Sequence, residues 1–251
     1  MQRPSCLSVL VALFVLAGAA ALGTAPARSQ ADGFTSLFNG RDFTHWKAPQ
    51  GDNGHWKILD GVIDYDAQSE APGDKNLWSE KEYGDFTLRV DWRIKETPYI
   101  NRNVPIIKPD GTHKKGADGR DIRIAVPDSD SGVFLRGSQT AQVNIWCWPI
   151  GSGEVYGYRT GRNAPPAVRA GVTPKVNADN DIGQWNTFEI TVRGDRLTVV
   201  LNDVTVIENA ELPGLPARGP VGLQHHGGFR NGEWTGPPSL VQFRNISIKE
   251  L

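Results

Sequence analysis

The chain has 251 residues, including Gly 28, Pro 17, Trp 8 and a single Met, and a formal net charge of -1. A near-neutral balance argues against general binding to nucleic acid or to an anionic membrane. Only two cysteines exist, Cys6 and Cys147, which excludes a disulfide framework; a chain of this length buries enough apolar surface to fold without one.

The start reads as a targeting segment. Arg3 supplies a positive charge, Leu7 to Leu22 is almost wholly apolar, and small residues follow at Ala25, Ala27, Ser29 and Ala31. That is the pattern of a secretory signal peptide. The apolar run is short for a membrane span and is interrupted by Gly18 and Gly23. Residues 1–31 are therefore expected to be removed, leaving a single domain over 32–251, secreted or periplasmic, with no membrane attachment. Cys147 then has no partner, and its apolar strand parity makes it a structural thiol rather than a nucleophile.

Phe34 to Trp46 opens the folded part, with a turn at Asn39-Gly40. Trp56 to Tyr65 has a hairpin pattern turning at Asp60-Gly61. In Leu77 to Ile94, Phe86, Leu88, Val90, Trp92 and Ile94 alternate with Thr87, Arg89, Asp91 and Arg93, the mark of a strand with one core face. Lys95 to Asp130 breaks the pattern with Pro98, Pro105, Pro109 and Pro127. It is either a lid over the following strands or a solvated insertion, and its polar, Gly/Pro-rich composition favours the insertion.

Ser131 to Pro149 predicts two adjacent strands with a polar turn between them. Val143, Ile145 and Cys147 point one way; Gln142, Asn144, Trp146 and Trp148 point the other, and Arg136 and Phe134 share one side of the preceding strand. Amides and a guanidinium can hydrogen-bond sugar hydroxyls, and indoles can stack on a pyranose. A half-buried strand whose tryptophans cover a loop explains the pattern equally well. Gly151 to Ala178 is irregular and carries Glu154 and Tyr156. Phe188 to Asn209 is a β-meander with turns at Gly194-Asp195 and Asn202-Asp203. Gly219 to Gly228 is a short strand that puts Gln224 and His226 on the face opposite Val221 and Leu223. Val241 to Leu251 closes the chain as a strand. Many short strands with Gly, Asn and Asp turns imply an all-β sandwich.

No CxxC, HExxH, P-loop, dinucleotide glycine motif or GxSxG elbow is present. Gln142 and Asn144 occupy the two-residue spacing at which sandwich glucanases carry paired carboxylates, so an ordinary two-carboxylate hydrolase is disfavoured. Of the five histidines, His226 is the favoured base, with Glu154 second as acid, base or metal ligand. A His/Glu pair holding a divalent metal stays open, although the spacing carries no ligand signature.

Six blocks recur in order in the 3-keto-disaccharide hydrolase family, and on them the chain resembles that family from about Gly33 to Leu251: GFTSLFNGRDFTHW, LWSEKEYGDFTLRVDWRI, SGVFLRG, WNTFEITVRGDRLTVVLND, GPVGLQHHG and VQFRNISIKEL. The resemblance implies a concanavalin-like jelly-roll sandwich of two antiparallel sheets, with a cleft on the concave sheet and action on glycosides oxidised to a ketone at C3. It implies that Arg136, Gln224 and His226 lie in the cleft. Where the family usually has an acidic residue and then Gln, two positions apart, this chain has Gln142 and Asn144. The expected ligand is a carbohydrate or 3-keto-glycoside. The expected activity is cleavage by β-elimination and hydration; the alternative is a noncatalytic glycan-binding module. In either case Arg136, Gln142, Asn144 and Gln224 would hold the sugar's oxygens, and Trp146 and Trp148 would stack on it.

Overall fold

The computed structural model describes residues 32–251, so the targeting segment lies outside the described residues. The strands in chain order are β1 (Thr35–Ser36), β2 (Trp46–Lys47), β3 (Trp56–Leu59), β4 (Val62–Tyr65), β5 (Leu77–Tyr83), β6 (Phe86–Ile94), β7 (Tyr99–Pro105), β8 (Arg123–Asp128), β9 (Asp130–Leu135) and β10 (Ser138–Trp146). Two short helices follow, α1 (Tyr156–Arg159) and α2 (Pro166–Gly171). The chain then runs through β11 (Asn186–Arg193), β12 (Arg196–Leu201), β13 (Val204–Glu211), β14 (Gly219–Leu223), β15 (Phe229–Arg230), β16 (Glu233–Trp234) and β17 (Val241–Glu250).

Alternation builds the first large sheet. Along β6 every second residue from Phe86 to Ile94 is buried, and the residues between are half-exposed. The sheet runs β13-β12-β11-β6-β17-β4-β3, with β1 on β17. Its hairpins turn where the sequence predicts. Asp60 and Gly61 have φ of 50° and 78°, and Asn202 and Asp203 have 50° and 64°. Two consecutive positive-φ residues match the twist of the flanking strands, and Asn, Asp and Gly adopt them at least cost.

The second sheet runs β10-β9-β14-β5-β2. Val133, Leu135, Val143, Ile145, Val221, Leu223 and Leu77 point from it into one core shared with Phe86, Leu88, Trp92, Phe188, Ile190 and Phe243 of the first sheet. Burying a side chain of this size is worth about 1.5–3 kcal/mol, so this shared apolar layer holds the sheets together. β10 lies at the edge of its sheet, and the chain returns along it. Asn144 N–H donates to the Glu154 carbonyl at 2.9 Å and Gly153 N–H to the Asn144 carbonyl at 2.8 Å.

The 95–130 segment is neither a loop nor a free insertion. β7 and β8 pair as a hairpin, extended by bridges between Ile107 and His113 and between Lys115 and Asp121. Arg169 of α2 donates to the Asp110 carbonyl at 3.3 Å, and Lys175 to that of Pro109 at 3.2 Å. The prolines and glycines that mask the strand pattern sit at its kinks and tip. The irregular 151–178 stretch likewise contains two short helices that carry no long helical period.

Cys147 is half-buried, and burial pushes its thiol up to about 12. Cys147 of the native protein should therefore resist iodoacetamide at pH 8 and be alkylated only after denaturation, as peptide mass spectrometry would show.

Candidate functional site

The outer face of the second sheet carries the candidate site. On β9, Asp130, Gly132 and Phe134 share that face; across the ladder Phe134 pairs with Gln142, Gly132 with Asn144, and Asp130 with Trp146. On the other flank, Gly222 pairs with both Phe134 and Trp78. Gly132 and Gly222 are bare by necessity. A Cβ would meet the Gln142 amide nitrogen at 2.2 Å in the first case and the Trp78 ring at 2.5 Å in the second. Without those carbons Gln142 lies flat across β9, and Trp78 stacks on Phe134 with centroids 5.2 Å apart.

His226 follows β14 and is tied to the Pro237–Ser239 segment. Its backbone N–H donates to the Ser239 hydroxyl, and its Nδ1 lies 2.7 Å from the Pro237 carbonyl. A carbonyl only accepts, so Nδ1 carries the hydrogen and neutral His226 presents a bare Nε2 lone pair. The same segment secures the neighbouring strand. Ser129 donates to the Pro238 carbonyl at 2.5 Å, and so does the Asp130 backbone N–H at 3.3 Å; separately, Ser131 donates to the Gln224 carbonyl at 2.9 Å.

Gln224 is oriented by similar logic. Gln142 Nε2 donates to the Ser131 carbonyl at 3.1 Å, which fixes that atom as nitrogen. The same Nε2 donates to Gln224 Oε1, so the Gln224 amide nitrogen and its two hydrogens face away, free for a ligand. Gln142 itself is only 8% exposed, and its expected contact with sugar gives way to a role in aiming Gln224.

Asp130 is the site residue that the sequence reading missed. Its carboxyl is pushed up to about 7, first by burial, against the pull of nearby His226 and with reinforcement from Asp128. Asp128 is fully buried at the base of the β7–β8 hairpin. Asn101 and Trp148 donate to its Oδ2 at 2.8 and 3.0 Å, and burial raises its pKa.

Several expected contacts are corrected by the geometry. Arg136 lies one residue past the end of β9 with φ of 48°, which swings it off the strand's parity. Its guanidinium is bonded to the carbonyls of Gly84, Gly194 and Pro216 and to Asp85 at 2.7–3.1 Å, and its side chain is 1% exposed. It is a brace between loops. Trp146 is 3% exposed, stacks on Trp148 with centroids 4.1 Å apart, and donates to the Gly151 carbonyl, so it presents no ring face to a sugar. Trp148 is half-buried, with one face on Trp146 and its N–H on Asp128. Asn144 is 3% exposed under the returning chain.

Glu154 is also buried, with no exposed surface. It pairs with Arg159 of α1 at 2.5 Å, and Arg159 contacts His113 of the hairpin at 3.2 Å. Burial pushes the Glu154 carboxyl up to about 7 despite the opposing guanidinium. Glu154 Oε2 and Asn144 Oδ1 are both buried acceptors without a donor, and a proton on Glu154 removes one of the two deficits. Glu154 therefore stands behind the site and does not line it. The Glu154/His226 clamp for a divalent metal does not fit this donor set, because the guanidinium already holds the carboxylate. Among the described residues no three His, Cys, Asp or Glu side chains gather to hold an ion.

The family model for the 3-keto-alpha-glucoside-1,2-lyase-like domain matches residues 33–249. The chain belongs to this family. Among solved structures, two provisionally assigned glycosyl hydrolases of Parabacteroides distasonis share its fold. One is 21% identical over 87% of this chain and 84% of its own length, with a TM-score of 0.52. The other is 20% identical over 88% of this chain and 95% of its own, with a TM-score of 0.53. No curated protein matches the sequence significantly. The family and the two antiparallel sheets make the chain an all-β domain of a carbohydrate-active family. Within this lyase-like domain His226 precedes Gly227, and Gln142 and Asn144 are buried amides.

Proposed function

We propose that this family member cleaves glycosides oxidised to a ketone at C3. The ketone acidifies the C2 proton, and His226 Nε2 removes it. The C2–H electron pair moves to an enolate, whose C3 oxygen receives the free amide hydrogens of Gln224. As the C3 carbonyl reforms, a C1–C2 double bond forms and the glycosidic C1–O bond breaks. Asp130, protonated near neutral pH, gives its proton to the departing oxygen. In the second half, the Asp130 carboxylate takes a proton from water as it adds at C1, and His226 returns its proton to C2. The sum is hydrolysis, with each group restored.

The observation supporting this reading is a histidine whose Nδ1 is held by the Pro237 carbonyl, which leaves Nε2 as the acceptor, near an acid whose carboxyl burial pushes up to about 7. Two titrating groups with different environments are how one site runs base and acid chemistry together. The test is product analysis with a 3-keto-glucoside, with and without added divalent metal. Released aglycone with a 2-hydroxyglycal intermediate or 3-keto-glucose is the expected outcome; intact substrate overturns the reading. The amides at Gln142 and Asn144 favour a second reading, glycan binding without turnover, for which calorimetry would detect binding of an unmodified glycan and no product. Export through the signal-like segment belongs to the proposal, and amino-terminal sequencing of the extracellular or periplasmic protein tests it.

Asp130 also gives a pH prediction. Its pKa lies near 7 in the fold and about 4 in the unfolded chain. Between those values the native state binds the extra proton, so stability falls as pH rises from about 4 to 7. Asp130→Asn should flatten that part of the Tm profile and remove the alkaline limb of kcat. An unchanged slope would remove Asp130 from both roles.

A further inference from the structure

The β7–β8 hairpin starts at the candidate site and ends on the two helices. At its base, Asp128 accepts from Asn101 and Trp148. Its tip, residues 107–121, lies against α2 and the turn after it, where Arg169 and Lys175 donate to the carbonyls of Asp110 and Pro109. The fit is close, since a Cβ on Gly111 would meet the Arg169 side chain at 2.6 Å and the Thr173 hydroxyl at 2.7 Å. A further tie is His113, whose ring bonds both to Asp121 of the hairpin and to Arg159 of α1.

These bonds fix the protonation of the ring. A guanidinium only donates, so His113 Nε2, 3.2 Å from Arg159 Nη1, is a bare acceptor. Nδ1 then carries the hydrogen and donates to Asp121 Oδ2 at 2.9 Å, and His113 is neutral. A proton on Nε2 would set two donors and two positive charges face to face. Asp121 does not take that proton instead. Hydrogen bonds from Lys115 and then His113 hold its carboxyl down to about 2, and Arg123 lies 3.5 Å away. Across the contact, Arg159 is bound to Glu154 at 2.5 Å, with 3% of its side chain exposed and none of that of Glu154. It has no room to swing away from an arriving charge. Burial raises the Glu154 carboxyl to about 7, so below that value Arg159 loses its countercharge and a second cation beside it is less compensated still. Arg169 and Lys175, which face the tip from α2 and the turn after it, are cations as well.

We propose that the hairpin is a proton-operated strap: with His113 neutral its tip is latched to α1 and α2, and with His113 protonated the tip lets go. Once released, the ring keeps Asp121 and loses Arg159, so the open form binds the proton more tightly than the latched form. Opening is therefore favoured as pH falls through the range of a free imidazole, about 6.5. One proton is taken up per opening, so the opening constant rises toward about tenfold per pH unit below that range. The latch holds α1 in place, and Tyr156 of α1 packs edge-on against Trp146 and Trp148 behind the candidate site. The strap does not rest on the cleavage reading.

Two measurements test it. Hydrogen exchange read by mass spectrometry at pH 7.5 and 5.5, corrected for intrinsic rates, should show peptides from 107–121 and 156–175 losing protection by about tenfold at the lower pH, while β11 and β12 stay unchanged. His113→Gln keeps an acceptor for Arg159 and takes no proton, so it should remain latched at both pH values. Nitrogen-15 NMR of the wild-type histidines is independent of how that variant folds, and it should place the hydrogen of His113 on Nδ1 at pH 7.5. Equal protection of wild type at the two pH values, a wild-type pH response in His113→Gln, or a hydrogen on Nε2 at pH 7.5 overturns the strap.

Discussion

Replacing His226 with alanine should lower kcat for a 3-keto-glycoside by about 10²–10⁴-fold, the usual contribution of a positioned general base, with little change in KM. The asymmetry is the informative part. His226 is held through its backbone N–H on Ser239, and Gln224 and Asp130 have backbone bonds of their own to Gly132 and Pro238, so loss of the imidazole leaves both in place. Binding survives while proton removal does not. His226→Gln sharpens the comparison, because it keeps the size and a donor but cannot act as a base. A variant that retains turnover would exclude His226 as the base. A variant with unaltered kcat and a raised KM would make it a binding group.

The largest effect on stability is expected from Arg136→Ala, at about 2–4 kcal/mol, or roughly 5–15 °C in Tm. Asp85 is half-exposed, so that ion pair contributes little by itself. The cost lies in the three carbonyls, from Gly84, Gly194 and Pro216, that lose a charged donor, and in the space left by a side chain that is 1% exposed. KM of the folded fraction should be unchanged. A wild-type Tm with a raised KM would return the guanidinium to the cleft, where the family resemblance puts it. Differential scanning fluorimetry alongside initial rates separates the two outcomes.

These two residues show where sequence reading succeeds and where it fails. The strands of the first sheet were legible because alternation such as Phe86 to Ile94 follows directly from a two-residue repeat over a core. Hairpin turns were legible because Asp60-Gly61 and Asn202-Asp203 are among the pairs that accept positive φ cheaply. His226 and Gln224 follow from the parity of Val221 and Leu223. Parity misleads for Arg136 because it applies only while the strand lasts, and β9 ends at Leu135. Asp130 was available from the same rule, since it shares parity with Gly132 and Phe134, but it stands at the strand's first residue behind a stretch read as a loop. The burial of Gln142, Asn144 and Trp146 was not legible at all. It depends on the chain returning along β10 and on α1 placing Arg159 over Glu154, contacts with no local sequence signal.

That returning segment also bears on self-association. An open strand edge invites a second copy to add its own ladder, the usual first step of aggregation. Gly153 and Glu154 already occupy the edge that β10 would offer, and β2, at the opposite edge, is two residues long. In the other sheet β3 has four residues, and Lys175 N–H already donates to the Val206 carbonyl of β13. Among the described residues the β10 edge is thus covered and the β2 and β3 edges are short, which limits the ladder that these edges offer to a second copy.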